Sequence, residues 1–144
     1  MVIISTIQKT KFFAGLSQQT LQAIAELGHF VSFEEGDKIY EFGDDALDAF
    51  LVESGRVRFS LGVGNRPESS GSIMSKGMLF GWAALLEEQP RRVATATCLE
   101  ASSLFVFPGN QLLALFNNDT SSGYLVMRRL ATLITRDFMS IATV

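Results

Sequence analysis

The chain has 144 residues, of which 47% are hydrophobic and 19% charged, and this balance excludes an intrinsically disordered protein. A domain of this length buries enough apolar surface to fold without disulfides or a structural metal. The net charge of −3 lacks the basic footprint of a free-standing nucleic-acid binder, so we expect no direct nucleic-acid binding by this chain. Its single cysteine, Cys98, cannot form an internal disulfide, which is typical of a cytoplasmic protein.

The N-terminal part predicts a helix that begins after Ser17 and runs through LQAIAEL. Ser17 is a good capping residue, and Leu21 and Ile24 lie on one face of such a helix. Just before it, Phe12, Phe13 and Leu16 form an apolar cluster that can hold the helix against a core. The extreme N-terminus lacks the charged start and long apolar core of a secretory signal.

From His29 to about Phe107 the pattern changes to short β-prone runs separated by glycine or acidic turns. The runs are HFVSF, KIY, AFLVES, VRFSL, SIM, TATCL and SLFVF. Short strands spaced roughly 8–12 residues apart are typical of a β-sandwich or barrel. The dipeptide Ser54-Gly55 predicts a tight hairpin between two of these strands, and residues 62–71 predict a hairpin loop.

Two helices are expected at the C-terminal end. Pro108 can begin a short helix over NQLLALF, and Asp119 can cap a long helix from Thr120 to about Thr143. The uncharged stretch at 101–118 is interrupted by proline, glycine and amides, so we expect no transmembrane helix and no membrane partner. The predicted fold class is α+β, with an N-terminal helix and two C-terminal helices around an antiparallel β-barrel.

The mean hydropathy of +0.24 is high for a free domain, so the chain has more apolar surface than one small core is expected to need. The long C-terminal helix is where we expect this surplus apolar surface to lie. Its apolar positions follow a spacing of three and four residues: Leu125, Val126, Leu130, Leu133, Ile134, Phe138 and Ile141. They either pack only on the barrel of the same chain, or on both the barrel and a partner helix. We favour the second interpretation and expect a homodimer through helix 120–143.

The segment GMLFGWAALLEEQPRRVATAT, residues 77–97, contains the chemistry of an anion site. Phe80 and Gly81 end a strand, and a short helix-forming run follows whose first backbone N–H groups attract negative charge. Arg91 and Arg92 come next, and a guanidinium binds phosphate through two parallel hydrogen bonds. The small residues after them leave room for a ligand. The spacing outlines a phosphate pocket.

The ordered set of motifs resembles the cyclic nucleotide-binding domain, the jelly-roll module of catabolite-activator-type regulators and of kinase regulatory subunits. The resemblance covers nearly the whole chain, from FFAGLS through FLVESGRVR and SLFVFP to the closing helix. The family's phosphate-binding cassette reads F-G-E-L-A-L, about five residues, then P-R-x-A-T. Here it reads FGWAAL at 80–85 and PRRVAT at 90–95. The resemblance implies one domain over 1–144, with a jelly-roll barrel at about 29–107 and helices at about 108–143.

By this resemblance, Arg92 corresponds to the arginine that holds the cyclic phosphate, since it stands two residues before Ala94. Arg91 directly follows the proline, as the family arginine also does, so the two criteria disagree by one residue. We favour Arg92, because strand register decides where its side chain points. The expected ligand-binding residues are Phe80, Gly81, Trp82, Ala83, Ala84, Arg91, Arg92, Val93, Ala94 and Thr95. Backbone N–H groups near Ala83, Ala84 and Val93 would complete the phosphate cradle.

The sequence departs from the family pattern at Trp82, which replaces the glutamate that accepts a hydrogen bond from the ribose 2′-hydroxyl. Loss of a hydrogen bond to a charged group, about 1.5–3 kcal/mol, weakens affinity roughly 10- to 150-fold. The phosphate half of the family site is therefore retained and the ribose half is not. A tryptophan can instead stack on a base or fill the pocket.

Two functions remain open at this point. The chain is expected to be a regulatory module that binds a cyclic nucleotide (cAMP or cGMP) or a similar phosphorylated ligand and signals through movement of its C-terminal helices. It would need no other cofactor. The alternative is a ligand-independent dimerisation or interaction module on the same fold, with Trp82 filling the pocket.

Catalysis and DNA binding fit the sequence poorly. The single histidine, His29, argues against a metal-dependent barrel enzyme or a serine-type triad, so we expect no catalytic residues and no metal. In transcription regulators of this family a helix-turn-helix follows the long helix, and Val144 leaves no room for one. The expectation is a stand-alone sensor or the sensor fragment of a transcription regulator.

Overall fold

Two helices precede the sheets in the computed structural model, which describes residues 4–60, 72–88 and 90–142. They are α1 (Ile4–Gln8), which the sequence did not predict, and α2 (Gln18–Leu27). The predicted cap of α2 is confirmed, because the Thr20 N–H donates to Ser17 Oγ at 3.2 Å. Phe13 is fully buried and meets Phe107 edge to face, so the predicted apolar cluster does anchor the N-terminal segment to the barrel.

In the described part of the chain, eight strands form two four-stranded antiparallel sheets. The strands are β1 (His29–Phe33), β2 (Lys38–Tyr40), β3 (Asp48–Ser54), β4 (Val57–Ser60), β5 (Ser72–Met74), β6 (Leu79–Phe80), β7 (Thr95–Cys98) and β8 (Ser102–Pro108). The order is β1-β8-β3-β6 in one sheet and β2-β7-β4-β5 in the other. This arrangement confirms the predicted α+β fold with an antiparallel jelly-roll barrel.

The predicted hairpin at Ser54-Gly55 is wrong. β3 pairs with β6 and β8, whereas β4 pairs with β5 and β7, so the turn carries the chain from one sheet to the other. Gly55 has φ +97°, and a Cβ placed on it would lie 2.1 Å from Ser102 Oγ. The glycine is therefore required by a close crossing over β8, and not by a two-residue hairpin.

The strands on either side of the predicted loop at 62–71 pair as expected, with Val57 opposite Met74 and Phe59 opposite Ser72. The loop itself lies outside the described residues. Between β6 and β7 a short 3-10 helix (Trp82–Leu85) replaces regular strand. It occupies the helix-forming run that the sequence indicated.

Two helices close the barrel, α3 (Gly109–Asn118) and α4 (Thr120–Ala142). Asp119 caps α4 as predicted, because its Oδ1 accepts the Ser122 N–H at 3.2 Å. Its Oδ2 accepts hydrogen bonds from Ser17 Oγ, Thr20 Oγ1 and Ser122 Oγ. These donors hold the pKa of Asp119 well below its usual range, and they join the start of α2 to the start of α4.

The core residues of α4 are Val126, Leu130 and Leu133, which are buried against the barrel and the N-terminal segment. Phe138, Tyr124 and Met139 are exposed on the same helix. The apolar positions of α4 therefore divide between the barrel of this chain and an outward surface. No helix within the described residues is both long and apolar enough to cross a bilayer.

Candidate functional site

The cassette begins where β6 ends, at a sharp bend in the backbone. Gly81 has φ +76°, and a Cβ there would lie 2.8 Å from Phe50 Cδ2 and 3.1 Å from Arg92 Nη1. The position therefore admits only glycine without displacement of its neighbours. Within the 3-10 helix the Ala84 N–H donates to Gly81 O at 3.2 Å, so this expected member of the cradle is engaged inside the helix itself.

Arg92 lies inside the barrel and is 4% exposed. Its Nη1 donates to Gly81 O at 2.9 Å, and its Nη2 donates to Asp48 O at 2.7 Å. Among the described residues its Nε has no hydrogen-bond partner. The backbone of Arg92 is fixed as well, because its N–H donates to Asp44 O and its carbonyl accepts the Gly43 N–H. The guanidinium thus fastens the cassette bend to the start of β3.

Aromatic rings surround this guanidinium. The Tyr40 ring lies 4.1 Å from Cζ of Arg92, and the Phe50 ring lies 5.6 Å from it. Phe50 in turn stacks on Phe80, with 5.1 Å between ring centroids. A cation held against aromatic faces in a desolvated site is stabilised by about 2 kcal/mol or more. Burial lowers the pKa of Arg92 and raises the pKa of Tyr40, and neither shift changes the charge of the guanidinium at neutral pH.

Arg91 has a different environment from its neighbour. Its Nη1 forms an ion pair with Asp45 Oδ1 at 2.8 Å, and both side chains are exposed. Val93 is also exposed, and Thr95 Oγ1 accepts the Phe42 N–H at 3.0 Å. An exposed ion pair such as Arg91–Asp45 contributes about 1 kcal/mol or less to the stability of the fold. Of the two candidate arginines, only Arg92 enters the barrel interior.

Trp82 reaches from the cassette to the C-terminal helix. Its indole Nε1 donates to Asp137 Oδ2 at 2.8 Å, and both residues are buried. Burial raises the pKa of Asp137, while the Trp82 hydrogen bond and the nearby Arg136 oppose that rise. Oδ1 of Asp137 has no hydrogen-bond partner among the described residues. The position that departs from the family pattern is thus a direct link between cassette and α4.

The cassette also touches α3. A Cβ on Gly109, the first residue of α3, would lie 2.4 Å from Ala84 O, and the Gly109 N–H donates to Leu47 O at 2.9 Å. The 3-10 helix therefore contacts both C-terminal helices. A change in its position cannot leave those helices unaffected, because the contacts are close-packed.

The structure brings Phe80, Gly81, Trp82, Ala83, Ala84, Arg92 and Ala94 together in the interior. Three other members of the site were not predicted: Tyr40, Phe50 and Asp137. Asp137 had a detectable signal, since it continues the core-facing spacing of Leu130 and Leu133 and is therefore a carboxylate on an apolar helix face. Tyr40 and Phe50 lie far from the cassette in sequence and show no local pattern.

Comparison with known proteins identifies relatives of the whole arrangement. The family model described as "Cyclic nucleotide-binding domain" matches residues 30–119, which is more than half of the chain. The acetyltransferase Pat of Mycolicibacterium smegmatis is 33% identical over 101 residues, covering 70% of this chain and 29% of that protein. The chain therefore spans under a third of the length of this curated relative.

Solved structures with the same fold cover almost the whole chain. A Geobacter metallireducens protein, named as a candidate cyclic nucleotide-binding protein, has a TM-score of 0.82 at 20% identity and covers 96% of this chain and 99% of its own. The sensor domain of the transcriptional regulator DNR from Pseudomonas aeruginosa has a TM-score of 0.79 at 22% identity, covering 95% and 91%. At these identities the likeness concerns the fold alone.

Proposed function

We propose, because the chain belongs to the cyclic nucleotide-binding domain family, that it is a regulatory module sensing a cyclic nucleotide (cAMP or cGMP) or a similar phosphorylated ligand. The observation that carries the proposal is the buried guanidinium of Arg92 at the cassette bend, with Nε left without a partner among the described residues. We further propose that the module works in the cytoplasm and acts by binding, without a catalytic step. The acetyltransferase activity belongs to the named relative.

The hydrogen bonds of Arg92 support a role in binding phosphate. Its two Nη groups now donate to neutral backbone carbonyls, those of Gly81 and Asp48. A phosphate oxygen is a charged acceptor that can take two parallel hydrogen bonds from a guanidinium, and it adds charge attraction that the backbone carbonyls do not supply. A phosphate can therefore compete for this guanidinium, and Nε supplies a further donor. Arg91 is held outside the barrel by Asp45 and takes no part in the proposed site.

Trp82 supports a route from the ligand to the C-terminal helix. A ligand seated on Arg92 lies next to the 3-10 helix that begins at Trp82. If the ligand displaces the indole ring, the bond to Asp137 breaks and a carboxylate in the core-facing surface of α4 loses its donor. Because a ligand shifts a helix only when its contacts differ between the two helix positions, this bond provides the required difference.

The test uses Trp82 itself, since it is the single tryptophan of the chain and reports on its own environment. The full chain is titrated with cAMP and separately with cGMP to millimolar concentration, while indole emission and the melting temperature are followed. We expect one nucleotide to shift the emission to longer wavelength in a saturable manner and to raise the melting temperature. The absence of both changes with either nucleotide would contradict the proposal.

Paired arginine variants separate the proposed site from general charge effects. Arg92→Lys keeps a buried positive charge but loses the forked geometry, and we expect at least tenfold weaker binding. Arg91→Lys is the matched control on the next residue and should bind as the wild type does. Because Arg92 also fastens the fold, the melting temperature of each variant without ligand is measured alongside. Equal losses in both variants would rule out Arg92 as the phosphate-binding residue.

A second candidate function is a ligand-independent interaction module. It is favoured by one observation, namely the buried hydrogen bond by which Trp82 Nε1 donates to Asp137 Oδ2 and holds the indole in the interior. On this alternative the indole permanently fills the space that a ribose takes in the family. It predicts unchanged indole emission with nucleotides together with a stable dimer in solution.

We propose a homodimer through α4 under either function. Tyr124, Met127, Ala131, Ile134 and Phe138 recur at alternating spacings of three and four residues, the pattern of a coiled-coil seam. The two ends of this stripe are highly exposed, with Phe138 at 66% and Tyr124 at 63%. Such an apolar stripe on a helix favours a second helix, because pairing removes it from water. The stripe is distinct from the core face formed by Val126, Leu130 and Leu133.

A further inference from the structure

A groove of about 1080 Å³ lies between the N-terminal segment, the sheet formed by β3 and β6, and one flank of α4. Its lining shares none of the expected cassette residues. Six of the twelve basic residues of the sequence line it: Lys9, Lys11, Lys76, Arg128, Arg129 and Arg136. The concentration of half of the positive charge in one recess is the feature that needs explanation.

These cations have little counter-charge. Within the described residues the groove lining has one acidic side chain, Glu53. The salt bridges found among the described residues are made by cations outside the groove, namely Lys38, Arg56 and Arg91. Arg129 Nη1 donates a hydrogen bond to Phe12 O at 2.9 Å. The charge of Arg136 lowers the pKa of the neighbouring Asp137, which burial raises. A recess lined by one sign of charge raises the local concentration of ions of the opposite sign.

The groove has an apolar floor beneath this charge. Phe12, Leu51, Leu79 and Leu133 line it and are themselves mostly buried in the core. Small-molecule sites typically combine such an apolar wall with a few charged or polar groups, in volumes of roughly 300–1,000 Å³. The volume of about 1080 Å³ lies just above the upper end of this range, which leaves room for a single ligand with one apolar part and several negative charges.

The groove is also separate from the proposed dimer stripe. Arg128, Thr132 and Arg136 line it at a spacing of four residues, so they lie on one face of α4. Met127, Ile134 and Phe138 lie on a different face of α4, whereas Tyr124 lies at the boundary between the two faces, because it precedes Arg128 by four residues and its ring lies 5.7 Å from the Arg128 guanidinium. A second helix on the stripe therefore leaves Thr132 and Arg136 accessible and meets the groove only at the Tyr124–Arg128 contact.

We propose that this groove binds a soluble organic polyphosphate of the nucleoside di- or triphosphate class. The phosphates pair with the lysines and arginines, which hold phosphate as point charges and as bidentate forks respectively. The ring system rests on the apolar floor. The groove differs from the cassette because its ligand needs two or more phosphates. The proposal for the groove does not depend on whether a cyclic nucleotide binds at the cassette.

The charge of the remaining chain argues against a long polyanion such as duplex DNA. With the six cations and Glu53 set aside, six of the twelve basic and fourteen of the fifteen acidic residues remain. A duplex longer than the groove would extend over a surface of net negative charge and be repelled. A compact anion that ends within the groove avoids this repulsion.

The test measures binding of ATP to the full chain by calorimetry, with AMP and a short DNA duplex as comparison probes. We expect saturable binding of ATP, at least tenfold weaker binding of AMP, and no tighter binding of the duplex. The double variant Lys9→Gln/Arg128→Gln removes two exposed cations from the groove and should weaken ATP binding at least tenfold. Lys38→Gln/Arg56→Gln removes the same charge elsewhere and should leave the ATP affinity within twofold.

Several outcomes would overturn the proposal. These are no saturable heat with ATP at millimolar concentration, equal losses in the two double variants, or a duplex that binds more tightly than ATP. A change of Trp82 emission on adding ATP, or competition between ATP and cAMP, would place the ATP at the cassette and would equally reject the groove. Failure of cAMP to bind, by contrast, concerns the cassette alone and leaves the result with ATP to decide.

Discussion

The indole Nε1–H of Trp82 and the Oδ2 of Asp137 are joined by a buried hydrogen bond of 2.8 Å between residues 55 positions apart in sequence. One partner begins the 3-10 helix of the cassette, and the other lies near the end of α4. The bond is therefore a direct mechanical connection between the proposed sensing element and the proposed output helix. It also makes each residue dependent on the other, because a buried polar group without a partner destabilises the fold.

Removing the donor tests this dependence. Trp82→Phe keeps an aromatic ring but leaves the buried Asp137 carboxylate without its indole donor, so we expect a loss of about 1–3 kcal/mol in the free energy of unfolding. Chemical denaturation measures it. Tyr124→Phe, on an exposed ring of α4, is the control and should change stability by less than about 0.5 kcal/mol. Equal stability of Trp82→Phe and the wild type would show that the bond contributes nothing.

Asp137 also makes stability depend on pH. Burial raises its pKa, so the folded chain holds this proton more tightly than the unfolded chain does. Between the ordinary aspartate pKa of about 3.9 and the raised pKa of the folded chain, this group therefore makes stability fall as pH rises. Trp82, Arg136 and Tyr40 are the polar groups that act on or respond to it.

Asp137→Asn removes this dependence, since an amide keeps an oxygen acceptor for the indole but does not ionise. We expect the Asn variant to be at least as stable as the wild type at about pH 8, and its advantage to shrink towards about pH 5. Urea unfolding of both proteins at the two pH values provides the measurement. An advantage of the Asn variant that grows as the pH falls would contradict the direction of the shift.

The crossing at Gly55 predicts a large difference between two glycines with similar backbone angles. Gly55 and Gly36 have φ values of +97° and +87°, but only Gly55 has Ser102 where a Cβ would lie. We expect Gly36→Ala to cost about 1–2 kcal/mol from left-handed strain alone, and Gly55→Ala to cost more because β8 must move. Thermal unfolding of the pair gives the comparison. Similar losses would mean that the crossing is loose.

The proposed dimer stripe predicts that a charge at its exposed end separates the protomers. Phe138→Glu should weaken self-association at least tenfold, because it places a carboxylate in an apolar contact. Leu47→Glu is the matched control, an equally exposed apolar residue outside α4 at 71% exposure. Light scattering across a concentration series measures the mass. A wild-type monomer at micromolar concentration would reject the stripe as a dimer contact.

Much of the fold follows from local sequence. The β-prone runs lie where the strands are found, Ser17 and Asp119 cap their helices, and Gly81 bends the cassette, since each depends on neighbouring residues. The hairpin predicted at Ser54-Gly55 was wrong for a physical reason. A small polar dipeptide between two strands suits a hairpin and a crossing between sheets equally, and only the partners of β3 and β4 distinguish them.

The site was less predictable than the fold. The cassette arginines were visible in sequence, but their environments differ because Asp45 binds one outside and Tyr40 covers the other inside. The exchange of a family glutamate for Trp82 was visible too, and Asp137 was detectable as a carboxylate on the core-facing side of α4, but the sequence did not indicate that the two residues are partners. Contacts between residues so far apart are set by the packing of α4 on the barrel, and spacing along the chain does not encode that packing.

The carboxylate of Asp119 fixes the N-terminal end of α4. It holds the first turn of α4 against Ser17 and Thr20, while the Trp82–Asp137 bond lies close to the opposite end. With 23 residues, α4 is roughly 34 Å long at about 1.5 Å per residue. A pivot of only ~10° about Asp119 would carry the far end of α4 through roughly 6 Å, about the pitch of one helical turn. Any pivot of α4 that follows loss of the 2.8 Å bond between Trp82 and Asp137 would therefore be largest at the end of the helix farthest from Asp119.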